Sequence, residues 1–149
     1  MVATSTAING CDAQLLAAGP DGTMYDISGS SSEFTLDLNK DVGDYKVFGN
    51  KWKFRLDCGK DATLTLNVVY TKTNNEGFDL LRDWYFNGSG ARRFILRLPD
   101  GSVGSDEYDG YYVLESMSIP SPADEPAPII VSATLLPNGP ILYSVVSTT

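Results

Sequence analysis

Between Ala62 and Tyr70 apolar and polar residues alternate without a break. Leu64, Leu66, Val68 and Tyr70 fall on one side, and Thr63, Thr65 and Asn67 on the other. A period of two puts successive side chains on opposite faces of an extended chain, so this run reads as a strand with one face buried. Residues 33–38 repeat the pattern with Phe34, Leu36 and Leu38. Residues 51–56 repeat it again, with Trp52, Phe54 and Leu56 expected to face inward and Lys53 and Arg55 outward.

Shorter runs follow the same logic. Residues 15–18 are apolar and end at Gly19-Pro20-Asp21-Gly22. Residues 93–98 end at Pro99-Asp100-Gly101, and residues 111–117 form another run. Residues 129–136 and 141–146 flank Asn138-Gly139 and are expected to pair as a hairpin. A Pro-rich stretch over 120–128 cannot pair as a central strand and reads as an extended connection.

One segment has a helical period. Phe78, Leu81 and Tyr85 recur at i, i+3 and i+7, with Leu80 and Trp84 beside them. Asn74-Asn75 precede the run and Asn87-Gly88 follow it. The expected fold is all-β: an antiparallel β-sandwich or barrel of seven to eight strands with one flanking α-helix. At 149 residues it is read as a single domain over 1–149.

Residue counts narrow the chemistry. The chain has no histidine, which removes His-based triads, imidazole metal ligands and imidazole proton shuttles. Its two cysteines, Cys11 and Cys58, are too few for a Cys-only zinc site and are expected to be reduced thiols. The acidic group Ser105-Asp106-Glu107-Tyr108-Asp109-Gly110 lacks the spacing of a calcium loop and reads as an acidic turn. With no phosphate loop, no G-x-S-x-G and no Ser-x-x-Lys, neither an enzyme nor a cofactor is expected. No stretch of 18 apolar residues is present, so no membrane span is expected. MVATSTAINGC lacks the basic and apolar regions of a signal peptide.

Charge is segregated along the chain. The net value is −8, yet all eleven Lys and Arg lie in residues 40–97, which sum to +4. Residues 1–39 carry −5 and residues 98–149 carry −7. Such a chain can be self-complementary, the basic middle of one copy meeting the acidic ends of the next. The acidic balance argues against tight nucleic-acid binding.

Residues 39–50 read as a long polar connection between strands, about twice the usual hairpin length, and they carry Val42, Tyr45, Val47 and Phe48. Apolar groups in such a loop either fold back on their own core or find burial on another subunit. The candidate interface residues are therefore Val42, Asp44, Tyr45, Val47 and Phe48, beside an extended N-terminal arm over about residues 1–14.

Taken in order, Phe34-Thr35-Leu36-Asp37-Leu38, Val42-Gly43-Asp44-Tyr45, Lys51-Trp52-Lys53-Phe54 and Asp61-Ala62-Thr63-Leu64-Thr65-Leu66 resemble the major tail tube proteins of long-tailed bacteriophages. The closing run Pro126-Ala127-Pro128-Ile129-Ile130-Val131-Ser132-Ala133-Thr134-Leu135, followed by Asn138-Gly139-Pro140-Ile141, resembles the end of such a chain. The resemblance spans most of residues 30–145. It implies a structural virion protein whose six-copy rings stack into the tail tube, assembled in the bacterial host cytoplasm. Its partners would be further copies of itself, the tape measure, the tail terminator and the baseplate. Double-stranded DNA would pass without tight binding.

A negative lumen suits that passage, and the candidate lumen-facing acids are Asp12, Asp37, Asp106, Glu107 and Asp109. The alternatives are a capsid-decorating or tail-completion protein, a ring-forming secretion-tube protein, and a carbohydrate-binding module that stacks sugars on Trp52, Tyr108, Tyr111 or Tyr112.

Overall fold

Hydrophobic alternation drives the chain into one antiparallel sheet. A computed structural model describes residues 10–98, 100–121 and 127–147, apart from the Cys58 side chain. Eight strands occur among these residues: β1 (Gln14–Ala18), β2 (Met24–Asp26), β3 (Ser31–Tyr45), β4 (Phe54–Val69), β5 (Arg92–Leu98), β6 (Asp106–Ser118), β7 (Ile130–Pro137) and β8 (Leu142–Val145). One helix, α1 (Gly77–Phe86), joins β4 to β5. The sheet runs β2-β1-β5-β6-β7-β4-β3, and β8 pairs with β6.

This order forces the sheet to roll. Laid flat, seven strands would put β2 and β3 about 29 Å apart at the usual inter-strand spacing. The chain from Asp26 to Ser31 can span at most about 17 Å, and part of it is a short 3₁₀ turn, Ser28–Ser30. The two edges must therefore curl toward each other, and the inward side chains of both halves meet. Leu15, Leu64, Leu66, Val68, Phe94, Leu96, Tyr112, Val131 and Leu135 form that core. Each fully buried aliphatic among them contributes roughly 1.5–3 kcal/mol of transfer free energy.

Helix α1 closes one end. Phe78, Leu80, Leu81 and Trp84 are buried on its inner side, whereas Tyr85 is exposed. Its first turn is tied down by the Gly77 N–H donating to Ser30 Oγ at 3.0 Å. Beyond its last turn the Trp84 indole N–H donates to the Gly90 carbonyl at 3.0 Å. Arg92, buried, donates to the Leu80 carbonyl at 3.2 Å and to Asp83 Oδ2 at 3.1 Å, with its guanidinium over the Trp84 ring.

Four expectations are corrected. Residues 39–50 are not a loop. Strand β3 runs on to Tyr45 and β4 begins at Phe54, with Asn39 opposite Asp61 and Tyr45 opposite Phe54, so the connection is only residues 46–53. The charged and polar residues of 39–45 suit a strand whose two faces both meet solvent.

Residues 51–56 and 62–70 are likewise not two strands sharing a core. Half of the first and nearly all of the second lie in one strand, β4, and Trp52 (79% exposed) and Leu56 (60%) lie outside the core.

The acidic run 105–110 is mostly strand: Asp106 to Asp109 pair with both β5 and β8. Nor do residues 129–136 and 141–146 fold back on each other. Tyr112 faces Pro137 and Asp109 faces Leu142, so β7 and β8 lie end to end along β6. The intervening residues 138–141 include Pro140, which has no N–H to offer a ladder, and they interrupt one track instead of reversing it. The N-terminal arm expected over about 1–14 lies outside the described residues as far as residue 9. Residues 122–126 of the Pro-rich stretch do as well.

Candidate functional site: a two-faced hairpin arm

Strand β4 pairs with β7 only between Leu64 and Val69. From Ala62 to Phe54 it pairs with β3 alone, which leaves a two-stranded ribbon standing off the body. Residues 39–45 carry it about 23 Å outward at the usual rise per residue. At its end Gly49 (φ 83°) occupies the left-handed region where a side chain would be strained. Asn50 N–H closes the turn on the Val47 carbonyl at 3.3 Å, and Trp52 N–H donates to Asn50 Oδ1 at 3.0 Å. An isolated two-stranded ribbon is marginal in water.

The ribbon has two unlike faces, and one residue separates them. Lys40 is opposite Lys60 and Asp41 is opposite Cys58, so Gly59 (φ 76°) is an extra residue, a bulge on β4. On β3 the core phase of Phe34, Leu36 and Leu38 continues through Lys40, Val42 and Asp44. On β4 the bulge inverts the phase. Leu56 and Phe54 leave the face of Leu64 and Leu66 and join Tyr45, opposite Gly43 and Tyr45 respectively. The Tyr45 and Phe54 rings stack there, centroids 5.5 Å apart.

The other face is charged and partly self-neutralised. Lys40 Nζ lies 3.0 Å from Asp57 Oδ2, Arg55 Nε 3.4 Å from Asp44 Oδ1 and Lys53 Nζ 3.7 Å from Asp44 Oδ2. These pairs are exposed and each contributes 0–1 kcal/mol or so.

Val42, Asp44, Tyr45, Val47 and Phe48 thus all lie on the arm or its tip, and all are exposed. The structure adds Leu38, Trp52, Phe54 and Leu56, which alternation alone had assigned to the core. For Phe54 and Leu56 the signal was Gly59, a glycine isolated within a strand pattern.

The five candidate lumen acids do not form one patch. Asp12 is exposed in the 3₁₀ turn Gly10–Asp12, and Asp37 is exposed on β3 opposite Thr63. Asp106, Glu107 and Asp109 share β6 but not one face. Asp106 accepts a hydrogen bond from the Tyr143 hydroxyl at 3.0 Å, and that bond raises the Tyr143 pKa. Glu107 lies 3.8 Å from Arg97 Nη2. Asp109 takes two hydrogen bonds from Arg93, the one from Nε at 2.9 Å, and these hold the guanidinium above its ordinary pKa. Only Asp12 and Asp37 of the five stand without such a neighbour on the described surface.

Of the rings considered for sugar stacking, Tyr112 is fully buried and Tyr108 packs against Tyr143 with centroids 5.7 Å apart. No group of three or more metal-ligating side chains occurs among the described residues. No helix among them is long and apolar enough to cross a membrane.

Comparison with known proteins fills in the fold. No protein-family model and no curated protein matches the chain. Solved structures do. A chain in the tail of an empty gene transfer agent particle, refined with C6 symmetry, superposes with a TM-score of 0.74 at 14% identity, over 93% of this chain and 99% of that one. The SPP1 tail tube matches at 0.75 and 15%, over 95% and 81%. A chain of the sheath–tube complex of an extracellular contractile injection system matches at 0.69 and 15%, over 96% and 95%. At this identity the likeness establishes the fold: a rolled antiparallel sheet with one helix, as found in tail tubes and injection-system tubes.

Proposed function

We propose that this chain is a tail tube subunit, which assembles with copies of itself into stacked rings. The tail tube fold supports this reading, and the observation that carries it is the hairpin arm. Between Leu38 and Leu56 the arm exposes eight large apolar side chains, on a ribbon that needs packing to be stable. Where such an arm docks on a different patch of the next copy the contact is head-to-tail, and head-to-tail contacts generate rings or filaments.

The sheet edges support the same reading. β3 ends the strand order, so one side of its fifteen residues has no neighbouring strand among those described. β5 reaches only as far as Tyr112 along β6, which leaves residues 113–118 open on that side. Open edges of this length are templates for pairing with another chain.

The subunit would reside in the tail of a phage-like particle, with tape measure, terminator and baseplate proteins as neighbours. Double-stranded DNA would pass through its lumen. The exposed acids Asp12 and Asp37 are the first choices for lumen charge, because Asp109 and Glu107 face arginines. An acidic wall repels phosphate and lets the duplex slide. The role asks for no catalysis.

Negative-stain electron microscopy of purified protein across a concentration series, with light scattering alongside, tests the proposal. Hollow tubes or six-fold rings are expected, alone or after addition of tube fragments as nuclei. A strict monomer under both conditions would overturn it.

A further inference from the structure

Resting on the assembly reading above, we infer that the arm tip of one copy seats in a specific cleft of a second copy, at the mouth of the rolled sheet beside the base of that copy's arm. The cleft has a volume of about 540 Å³, within the roughly 300–1,000 Å³ of clefts that enclose compact ligands. Phe34, Leu36 and Leu38 of β3 line one wall, Leu98 of β5 and Tyr108 of β6 another, and Glu33 lies at the rim.

Charge selects the occupant. Among the described residues no Lys or Arg lines this cleft. Residues 45–55, the end of the arm, contain Lys46, Lys51, Lys53 and Arg55 and no acid; Lys53 and Arg55 share the single carboxylate of Asp44, which leaves the tip net positive beside the exposed rings of Phe48 and Trp52. An apolar, aromatic, basic tip therefore meets an apolar cleft with an acidic rim. The neighbouring groove on the other side of Leu38 is larger, about 990 Å³, but two lysines, Lys40 and Lys60, line it against one acid, Asp61, so it offers a basic tip no net attraction.

Reach decides whose tip it is. The ladder from Asn39–Asp61 to Tyr45–Phe54 is continuous apart from the Gly59 bulge. It holds a subunit's own tip about 23 Å from the base of the arm, where Leu38 lines the cleft. A second copy fills the cleft without breaking those pairs.

The test is site-directed crosslinking in full-length chains carrying Cys11→Ser and Cys58→Ser. One preparation adds Phe48→Cys and the other Ser32→Cys, at two exposed positions, the second lining the cleft. With a short bis-maleimide the mixture is expected to give a covalent dimer that neither variant forms alone. The chain carrying both substitutions is expected to give a multimer ladder. Val113→Cys, on the outer sheet face, serves as the decoy partner.

Tubes or rings in the microscope without the Phe48–Ser32 product, or with as much Phe48–Val113 product, would overturn the docking and leave the assembly reading standing. Absence of both assemblies and crosslinks overturns both. A Thr6→Cys, Ser32→Cys chain that crosslinks internally, in place of the Phe48 product, would give the cleft to the N-terminal segment and overturn the docking.

Discussion

Tyr45 and Phe54 stack at the last rung of the hairpin, centroids 5.5 Å apart, on the face opposite the one that Leu36 and Leu64 turn toward the core. An aromatic pair in water contributes on the order of 1 kcal/mol at most. Its placement is of more use to a partner than to the subunit. Tyr45→Ala with Phe54→Ala is expected to leave the thermal transition of the monomer within a few degrees of the parent and to abolish tubes. Circular dichroism and electron microscopy on the same preparation check it. Replacing residues 42–57 by a short Asn-Gly turn should do the same, because it removes both strands of the ribbon together. A shortened chain that fails to fold would make the arm part of the core instead.

Gly59 sets which face of the arm is apolar. Deleting it removes the bulge, so Leu56 and Phe54 return to the phase of Leu64 and exchange faces with the charged residues. The body is expected to melt normally while tube formation is lost. Gly59→Ala keeps the register but places a side chain at φ 76°, 3.2 Å from Asp41 Oδ2. That substitution should cost about 1 kcal/mol by urea denaturation and leave assembly competence in place.

Tyr112 is fully buried, and among the described residues its hydroxyl has no hydrogen-bond partner. Burial, with a smaller contribution from Asp109, pushes its pKa up from 10.0 to about 12. A proton is thus held more tightly in the folded state than in the unfolded one. The associated stability is fully present below pH 10 and is lost as pH rises from 10 through about 12, by about 2 kcal/mol. Tyr112→Phe is expected to equal or exceed the parent in stability at pH 7, since no partner is lost, and to flatten the alkaline decline. Urea midpoints at pH 7, 9 and 11 decide the matter. A Tyr112→Phe chain that loses more than about 1 kcal/mol at pH 7 would reveal a hydrogen bond to the hydroxyl.

Arg92 and Arg93 are adjacent and unequal. Arg92 is buried, bridging the Leu80 carbonyl and Asp83 with its guanidinium over the Trp84 ring, and Arg92→Ala should destabilise by about 2–4 kcal/mol. The Arg93 side chain is 40% exposed and pairs with Asp109, so Arg93→Ala should cost at most about 1 kcal/mol. Equal costs in parallel melts would contradict this account of how α1 is anchored.

Much of the fold was legible because alternation is a local property. The strand at 62–70, the helix carrying Phe78, Leu80, Leu81 and Trp84, and the strands near 93–98 and 129–136 all follow from short-range patterns. β2 (Met24–Asp26) was too short to show a period. The acidic residues 106–109 concealed a strand because Arg93 and Arg97, on the neighbouring β5, neutralise two of them. That pairing is not visible along the chain. The arm was half legible: its apolar residues stand out in a polar stretch, but polarity over 39–50 imitates a loop and the alternation of 51–56 imitates a core strand.

The sequence alone determined that the chain forms strands with one apolar face, clamps a single amphipathic helix on them, and has no imidazole chemistry. Alternation and residue identity are properties of the chain itself and need no long-range contact to be read. Only the tertiary structure decided which alternating runs share a core. One extra residue, Gly59, inverts the phase between Leu64 and Leu56. β7 leaves β4 at Leu64, and among the described strands only β3 accompanies β4 beyond it. Burial depends on which strands lie alongside, and hydrophobic residues with no neighbour in their own chain become a surface for another.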